Sequence, residues 1–127
     1  MKPVVHESKK APAPIGPYSQ AVEFNGFVFC SGQIPMDPTS GQIKGATVAE
    51  QVQVAMENVA AVLAGADLKL SNIVKTTIFL VDMGDFQAVN EVYSKHMGET
   101  KPARSTIAVL ALPRGAKVEI EVVAARF

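Results

Sequence analysis

Several residue types are scarce in this 127-residue chain, which contains one cysteine, two histidines and no tryptophan. A single cysteine, Cys30, cannot form an internal disulfide, and His6 and His96 lie too far apart in the sequence to resemble a zinc motif. Twelve basic residues balance twelve acidic ones, so the chain lacks the cationic excess that neutralises the phosphates of nucleic acids or anionic membranes. We therefore expect neither a metal ion nor a nucleic-acid partner.

Long hydrophobic runs are also missing. No apolar stretch approaches the roughly 20 residues that a membrane-spanning helix needs, and the first residues lack the apolar core of a secretory signal. A lone cysteine suits a reducing compartment, so we expect a cytoplasmic protein with no membrane partner. The content of 48% hydrophobic and 19% charged residues is typical of a globular protein. We interpret residues 1–127 as one domain.

Two short segments rich in β-forming residues, 19–24 and 27–31, flank the dipeptide Asn25-Gly26. Asn-Gly between such segments predicts a tight hairpin, because both turn residues need a positive φ. Three later segments rich in β-branched residues predict further strands, at residues 73–81, 104–112 and 118–126. Residues 3–7 are the candidate for a sixth strand.

Two helices are predicted from the spacing of apolar residues. Thr47 and Glu50 fit a capping box at the start of the first helix, in which valines recur every three or four residues. The second helix covers residues 86–97, with Asp82 as its cap and Gly98 just beyond its end. Because this second helix connects two strands, those strands are expected to be parallel neighbours.

The predicted fold is therefore an α+β domain, a mixed six-stranded sheet with two helices on one face. Two helices leave the other face of the sheet without cover, yet apolar residues alternate onto both faces of the strands at 104–112 and 118–126. A large exposed apolar patch normally marks an interface, so we expect a homo-oligomer. The alternative is that the long loop at residues 32–45 covers this face.

The sequence has no phosphate-binding glycine loop and no serine nucleophile elbow, so a site would have to use arginine, glutamate and tyrosine. Arg104 follows Pro102-Ala103 at the start of a strand and could bind a carboxylate through two parallel hydrogen bonds. The alternative for Arg104 is an ordinary surface ion pair.

Glu119 and Tyr18 are the other candidates from residue chemistry. Glu119 could orient and deprotonate a water molecule, although Glu119 and Glu121 alternating with valines also describe an ordinary half-exposed strand. Tyr18 could direct its phenol into a pocket, or it could pack under a loop with its hydroxyl in solvent. We interpret Cys30 as a small strand residue and not as a nucleophile.

Five segments form a recognisable set, in this order along the chain: Ala13-Pro14-Ile15-Gly16-Pro17-Tyr18-Ser19-Gln20-Ala21, Ser31-Gly32-Gln33-Ile34-Pro35, Asp82-Met83-Gly84-Asp85-Phe86 with Asn90, Pro102-Ala103-Arg104-Ser105, and Val118-Glu119-Ile120-Glu121. Taken together, these segments closely resemble the RidA (YjgF-type) reactive intermediate deaminase family. The resemblance implies a chorismate-mutase-like fold that forms a homotrimer with a central barrel and active sites between subunits. It also implies hydrolysis of 2-imino acids, the tautomers of enamines such as 2-aminoacrylate, to 2-keto acids and ammonia without a cofactor.

By the same resemblance, Arg104 binds the substrate carboxylate and Glu119 positions the water. The substrate pocket is implied to include Tyr18, Ser31, Gly32, Asn90 and Thr106, the last at a position where some members carry cysteine. Two other functions stay open: a trimer that binds 2-keto acids without turnover, and RNA cleavage or inhibition of translation. The zero net charge argues against the second of these.

Overall fold

The computed structural model describes residues 1–127 and contains six strands and two α-helices. In chain order these are β1 (Val4–His6), β2 (Ala21–Phe24), β3 (Phe27–Cys30), α1 (Val48–Ala64), β4 (Ile73–Leu80), α2 (Phe86–Met97), β5 (Ala103–Ala108) and β6 (Val118–Ala125). Neither helix combines the length and hydrophobicity that crossing a bilayer requires.

All six strands form one sheet, in the order β1-β2-β3-β6-β4-β5. The strands β4 and β5 that flank α2 are parallel, and every other neighbouring pair is antiparallel. The predicted mixed sheet and the parallel pair are therefore confirmed. The Asn25-Gly26 hairpin is confirmed as well, because the φ angles of these two residues are 56° and 83°.

The first helix begins as predicted. The Glu50 N–H donates to Thr47 Oγ1 at 3.2 Å, and the Thr47 N–H donates to Glu50 Oε1 at 3.0 Å, which completes the capping box. The prediction for Asp82 needs correction. Its carboxylate accepts from the Gly84 N–H at 2.8 Å within a separate single turn, Met83–Asp85, so that Asp82 caps this turn and not α2 itself.

The strand predicted at residues 104–112 is also shorter than expected, since β5 ends at Ala108. The reason is its partner: β4 ends at Leu80, whose carbonyl accepts a last bond from the Val109 N–H at 2.7 Å. Beyond that bond the segment has no strand beside it, and Leu110 is fully exposed. β-Branched composition alone does not fix a strand end that a neighbour determines.

The two faces of the sheet differ sharply. Both helices pack on one face, where alternate residues of β6 such as Val118, Ile120 and Val122 are completely buried. On the opposite face, which we call the open face, Phe27 and Phe29 are 44% and 51% exposed. The loop at residues 32–45 therefore does not cover this part of the sheet. The alternative in which that loop covers the face is wrong for these two residues.

Candidate active site

Glu119 lies on β6, where its register partner on β4 is Phe79, and both residues belong to the open face. Beside it is a cavity of about 460 Å³. One wall of this cavity is the segment after β3, which is fixed to β6 by two backbone bonds: the Gln33 N–H donates to the Ile120 carbonyl at 2.8 Å, and the Ile120 N–H donates to the Gln33 carbonyl at 3.0 Å. We call this space the Glu119 cavity.

Gly32 gives the Glu119 side chain its room. A Cβ atom at position 32 would lie 2.5 Å from Oε2 of Glu119 and 2.8 Å from its carboxyl carbon. Any residue other than glycine would therefore displace the carboxylate. The resemblance places Gly32 in the substrate pocket, and the structure indicates a more specific role in positioning Glu119.

For a reaction in which Glu119 activates a water molecule, we expect Gly32→Ala to lower kcat on the order of 100-fold, because a displacement of about 1 Å is enough to disturb a catalytic geometry. The free energy of unfolding should change by less than about 1 kcal/mol, since the clashing group is the end of a flexible side chain. Gly84→Ala is the matched control, because its Cβ would also meet a carboxylate, 3.1 Å from Asp82 Oδ1, outside the Glu119 cavity. Measuring activity together with the free energy of unfolding, by chemical denaturation, distinguishes a loss of catalysis from a loss of stability. An equal loss of activity in both glycine variants would contradict the role of Gly32 in positioning Glu119.

The carboxylate of Glu119 makes no hydrogen bond or ion pair with a protein group. Burial raises its pKa, and repulsion from the nearby Glu121 carboxylate raises it further. A half-buried carboxylate with a raised pKa and no protein partner can accept a proton from water more readily than an exposed one. Glu119 is half-exposed, as the alternative of an ordinary strand residue expects, and its raised pKa and lack of a protein partner are what distinguish it from such a residue.

Tyr18, Ser31 and Gly32 line the Glu119 cavity as well. The Ser31 hydroxyl donates to the Ser19 carbonyl at 2.6 Å, which leaves its oxygen lone pairs available as acceptors. The Tyr18 hydroxyl accepts from the Ile15 N–H at 3.2 Å and keeps its own proton for another acceptor. Four of the seven predicted site residues thus occupy one cavity.

Arg104 lies elsewhere, beside a second cavity of about 300 Å³ that we call the Arg104 cavity. Its guanidinium stands 5.2 Å from the ring centre of Tyr93 and 5.8 Å from that of Phe86, within the range of cation–π attraction. The Tyr93 hydroxyl donates to Thr76 Oγ1 at 2.9 Å and so fixes its ring. The guanidinium makes no hydrogen bond and no ion pair with a protein group, so the surface ion pair considered for Arg104 is absent.

Asn90 and Thr106 are on the same side of the sheet as Arg104. Thr106 follows Arg104 by two positions on β5, and its Oγ1 is buried without a hydrogen-bond partner. Asn90 is on α2, four residues after Phe86 and three before Tyr93, so all three share one helix face. The sequence analysis gave no role in the site to Phe86 and Tyr93, although both lie within the predicted second helix.

The structure thus divides the predicted site into two groups. On β5, Arg104 is paired in register with the buried Thr76 and faces the helices, whereas Glu119 is on the open face. Because successive strand residues alternate between faces, one chain holds these two groups on opposite sides of its sheet. No cluster of three or more histidine, cysteine, aspartate or glutamate side chains is placed to hold a metal ion.

Comparisons with known proteins identify the family of the chain. A family model described as Endoribonuclease L-PSP matches residues 8–126. The chain is 46% identical over 120 residues to a mouse protein named 2-iminobutanoate/2-iminopropanoate deaminase, covering 94% of this chain and 89% of that one. Two solved structures are also similar: YyfA of the conserved Rid protein family from Yersinia pestis (45% identity, 98% and 99% coverage, TM-score 0.95) and E. coli TdcF with bound serine (41% identity, 98% and 99% coverage, TM-score 0.92).

The family model matches residues 8–126, which is nearly the whole chain. The mouse relative aligns with 94% of the chain, and the YyfA structure covers 98% of it. The protein therefore belongs to the Endoribonuclease L-PSP family, as a member of its RidA/YjgF type.

Proposed function

We propose that this protein hydrolyses 2-imino acids to 2-keto acids and ammonia. The observation that carries the proposal is the guanidinium of Arg104, which is held against two aromatic rings with no protein anion beside it. Such a group is suited to a ligand carboxylate, which it can bind through two parallel hydrogen bonds. The deaminase name of a relative with 46% identity supports the same reaction.

The complete site would lie between two copies of the chain, since Arg104 and Glu119 occupy opposite faces of one sheet. A homotrimer whose open faces meet in a central barrel would bury exposed residues such as Phe27, Phe29 and Ile107. In a cyclic assembly, one surface of each copy contacts a different surface of the next. The Arg104 cavity of one copy would then adjoin the Glu119 cavity of its neighbour.

In the proposed reaction, Arg104 binds the carboxylate of the iminium substrate and Glu119 orients a water molecule toward C2. The water oxygen bonds to C2, the C=N π electrons move to nitrogen, and Glu119 accepts the water proton. Glu119 then returns this proton to the nitrogen of the carbinolamine. The C–N bond breaks, ammonia leaves, and the C2 hydroxyl becomes the keto oxygen as it loses its proton to solvent or Glu119.

This reaction requires the protein to activate the substrate only slightly. A protonated imine is already electrophilic, so water attacks it without a metal ion or a covalent nucleophile. The residues of the site mainly fix the orientation of two reactants, which is an entropic contribution to the rate. The polar groups of Tyr18, Ser31, Asn90 and Thr106 would complete the binding of the substrate and the departing ammonia.

The test of the proposal is the lifetime of a free imine. An L-amino-acid oxidase generates 2-iminopropanoate from alanine in the presence of semicarbazide, which traps the imine as an absorbing semicarbazone. We expect the protein to lower the rate of semicarbazone formation in proportion to its concentration. This effect should weaken as the pH falls through the pKa of Glu119, which burial raises, because only the carboxylate accepts the water proton.

The same assay separates the other two functions. Saturable binding of a 2-keto acid with no effect on semicarbazone formation would contradict the proposal and favour a ligand-binding trimer. Cleavage of RNA by a preparation that leaves the imine untouched would favour the activity in the family's description. In both cases the oxidase rate, measured as hydrogen peroxide, controls for inhibition of the coupling enzyme.

A further inference from the structure

Arg114 is, with Arg104, one of the two arginines in the molecule that form no ion pair, and it lies on the single turn Pro113–Gly115 that precedes β6. Ten residues line the Glu119 cavity, and among them Arg114 is the only cation and Glu119 the only acid. These two groups form no ion pair, and Arg114 makes no hydrogen bond to any protein group. The proposed chemistry gives Arg114 no role.

The backbone at Arg114 is also unusual. Its φ of 57° and ψ of 24° place it in the left-handed region, which residues other than glycine seldom adopt. The turn is closed behind it, because the Ala116 N–H donates to the Pro113 carbonyl at 3.1 Å. A glycine would adopt this conformation without strain. Strained residues concentrate at functional sites, which makes the side chain of Arg114 a candidate for a function.

The size of the cavity indicates what Arg114 could bind. In a single copy of the chain the Glu119 cavity measures about 460 Å³, which is more room than a whole small 2-imino acid needs. Its apolar lining includes Ile15, Ile34 and Met36, and these residues offer no partner for a guanidinium. A substrate whose side chain ends in an anion would fill the remaining space and pair with Arg114.

We propose that Arg114 is a specificity-determining residue that binds a second carboxylate, so that the site accepts 2-imino dicarboxylic acids such as the imine of aspartate. This inference rests on the proposed hydrolysis. The α-carboxylate binds Arg104 of the neighbouring copy, C2 faces Glu119, and the side-chain carboxylate binds Arg114. One water adds at C2 and one ammonia leaves, as before, while the second carboxylate is unchanged by the reaction.

The experiment compares two imines with the semicarbazide assay. Alanine with an L-amino-acid oxidase supplies 2-iminopropanoate, and aspartate with an L-aspartate oxidase supplies 2-iminosuccinate. We expect Arg114→Gln to lower kcat/KM for 2-iminosuccinate at least about tenfold more than for 2-iminopropanoate, because only the former loses a charge-assisted hydrogen bond. Arg114→Lys should retain part of the kcat/KM for 2-iminosuccinate that Arg114→Gln loses, since lysine keeps the charge without the planar, two-pronged geometry.

Lys117→Gln is the matched control. Lys117 is exposed, lies three residues further along and does not line the cavity, so its replacement removes the same charge without touching the proposed contact. The quantity to compare is the ratio of kcat/KM for 2-iminosuccinate to kcat/KM for 2-iminopropanoate. An equal change of this ratio in both variants would show a general electrostatic effect and overturn the inference. Hydrolysis of 2-iminopropanoate but not of 2-iminosuccinate by the wild-type protein would also overturn it and leave the proposed function intact. If the protein hydrolysed neither imine faster than water does in its absence, the proposed function itself would fail.

Discussion

Replacement of Arg104 by alanine is expected to lower kcat/KM for 2-iminopropanoate at least about 100-fold, the largest loss that we expect from any single substitution outside Glu119. Two charge-assisted hydrogen bonds to a carboxylate contribute roughly 1.5–3 kcal/mol each, so their joint loss corresponds to a factor of about 10² to 10⁴. Arg104→Lys should recover only a small part, because an ammonium is a point charge that lacks the paired donors. The semicarbazide assay measures both variants.

The stability of these variants decides how the loss is interpreted. The guanidinium of Arg104 contacts the rings of Tyr93 and Phe86, so alanine also removes packing and a cation–π attraction. Arg104→Met retains the length of the side chain without its charge and serves as the control for packing. If the methionine variant remained fully active, the carboxylate-binding role of Arg104 would be refuted. Circular dichroism and the mass of the assembly show whether each variant folds and associates.

Much of the fold could be predicted from local sequence patterns. Asn25-Gly26 specified the hairpin through its need for positive φ angles, and the capping box of Thr47 and Glu50 specified where α1 begins. The errors occurred where a neighbour decides the outcome. The end of β5 depends on the end of β4. Asp82 caps a single turn that the spacing of apolar residues does not predict.

The site was less predictable than the fold. The resemblance identified Arg104 and Glu119, but alternation could not assign them to opposite faces, because both residue sets of β5 and β6 contain apolar members. The contact between Gly32 and Glu119 joins residues far apart in the sequence. The left-handed conformation of Arg114 had no local signal, since the Pro113-Arg114-Gly115 pattern indicates a turn without fixing the φ of its middle residue.

A mixture of two inactive variants is expected to regain activity if the site lies between copies. Glu119→Gln alone should lower kcat about 10²- to 10⁴-fold, because the amide cannot accept the water proton, and Arg104→Ala should be similarly impaired. Refolded together in equal amounts, the two chains should recover about one quarter of the wild-type activity. Each complete site needs Arg104 from one chain and Glu119 from a different chain, and each condition is met in about half of random neighbours.

A second mixture distinguishes this arrangement from a site within one chain. When wild-type chains are refolded with an equal amount of the double variant Arg104→Ala/Glu119→Gln, a site between copies retains about one quarter of the wild-type activity. A site within one chain would retain about one half, because every wild-type chain would then be active by itself. In the first mixture, a site within one chain would give no recovery at all. The placement of Arg104 and Glu119 on opposite faces of one sheet predicts one quarter in both experiments.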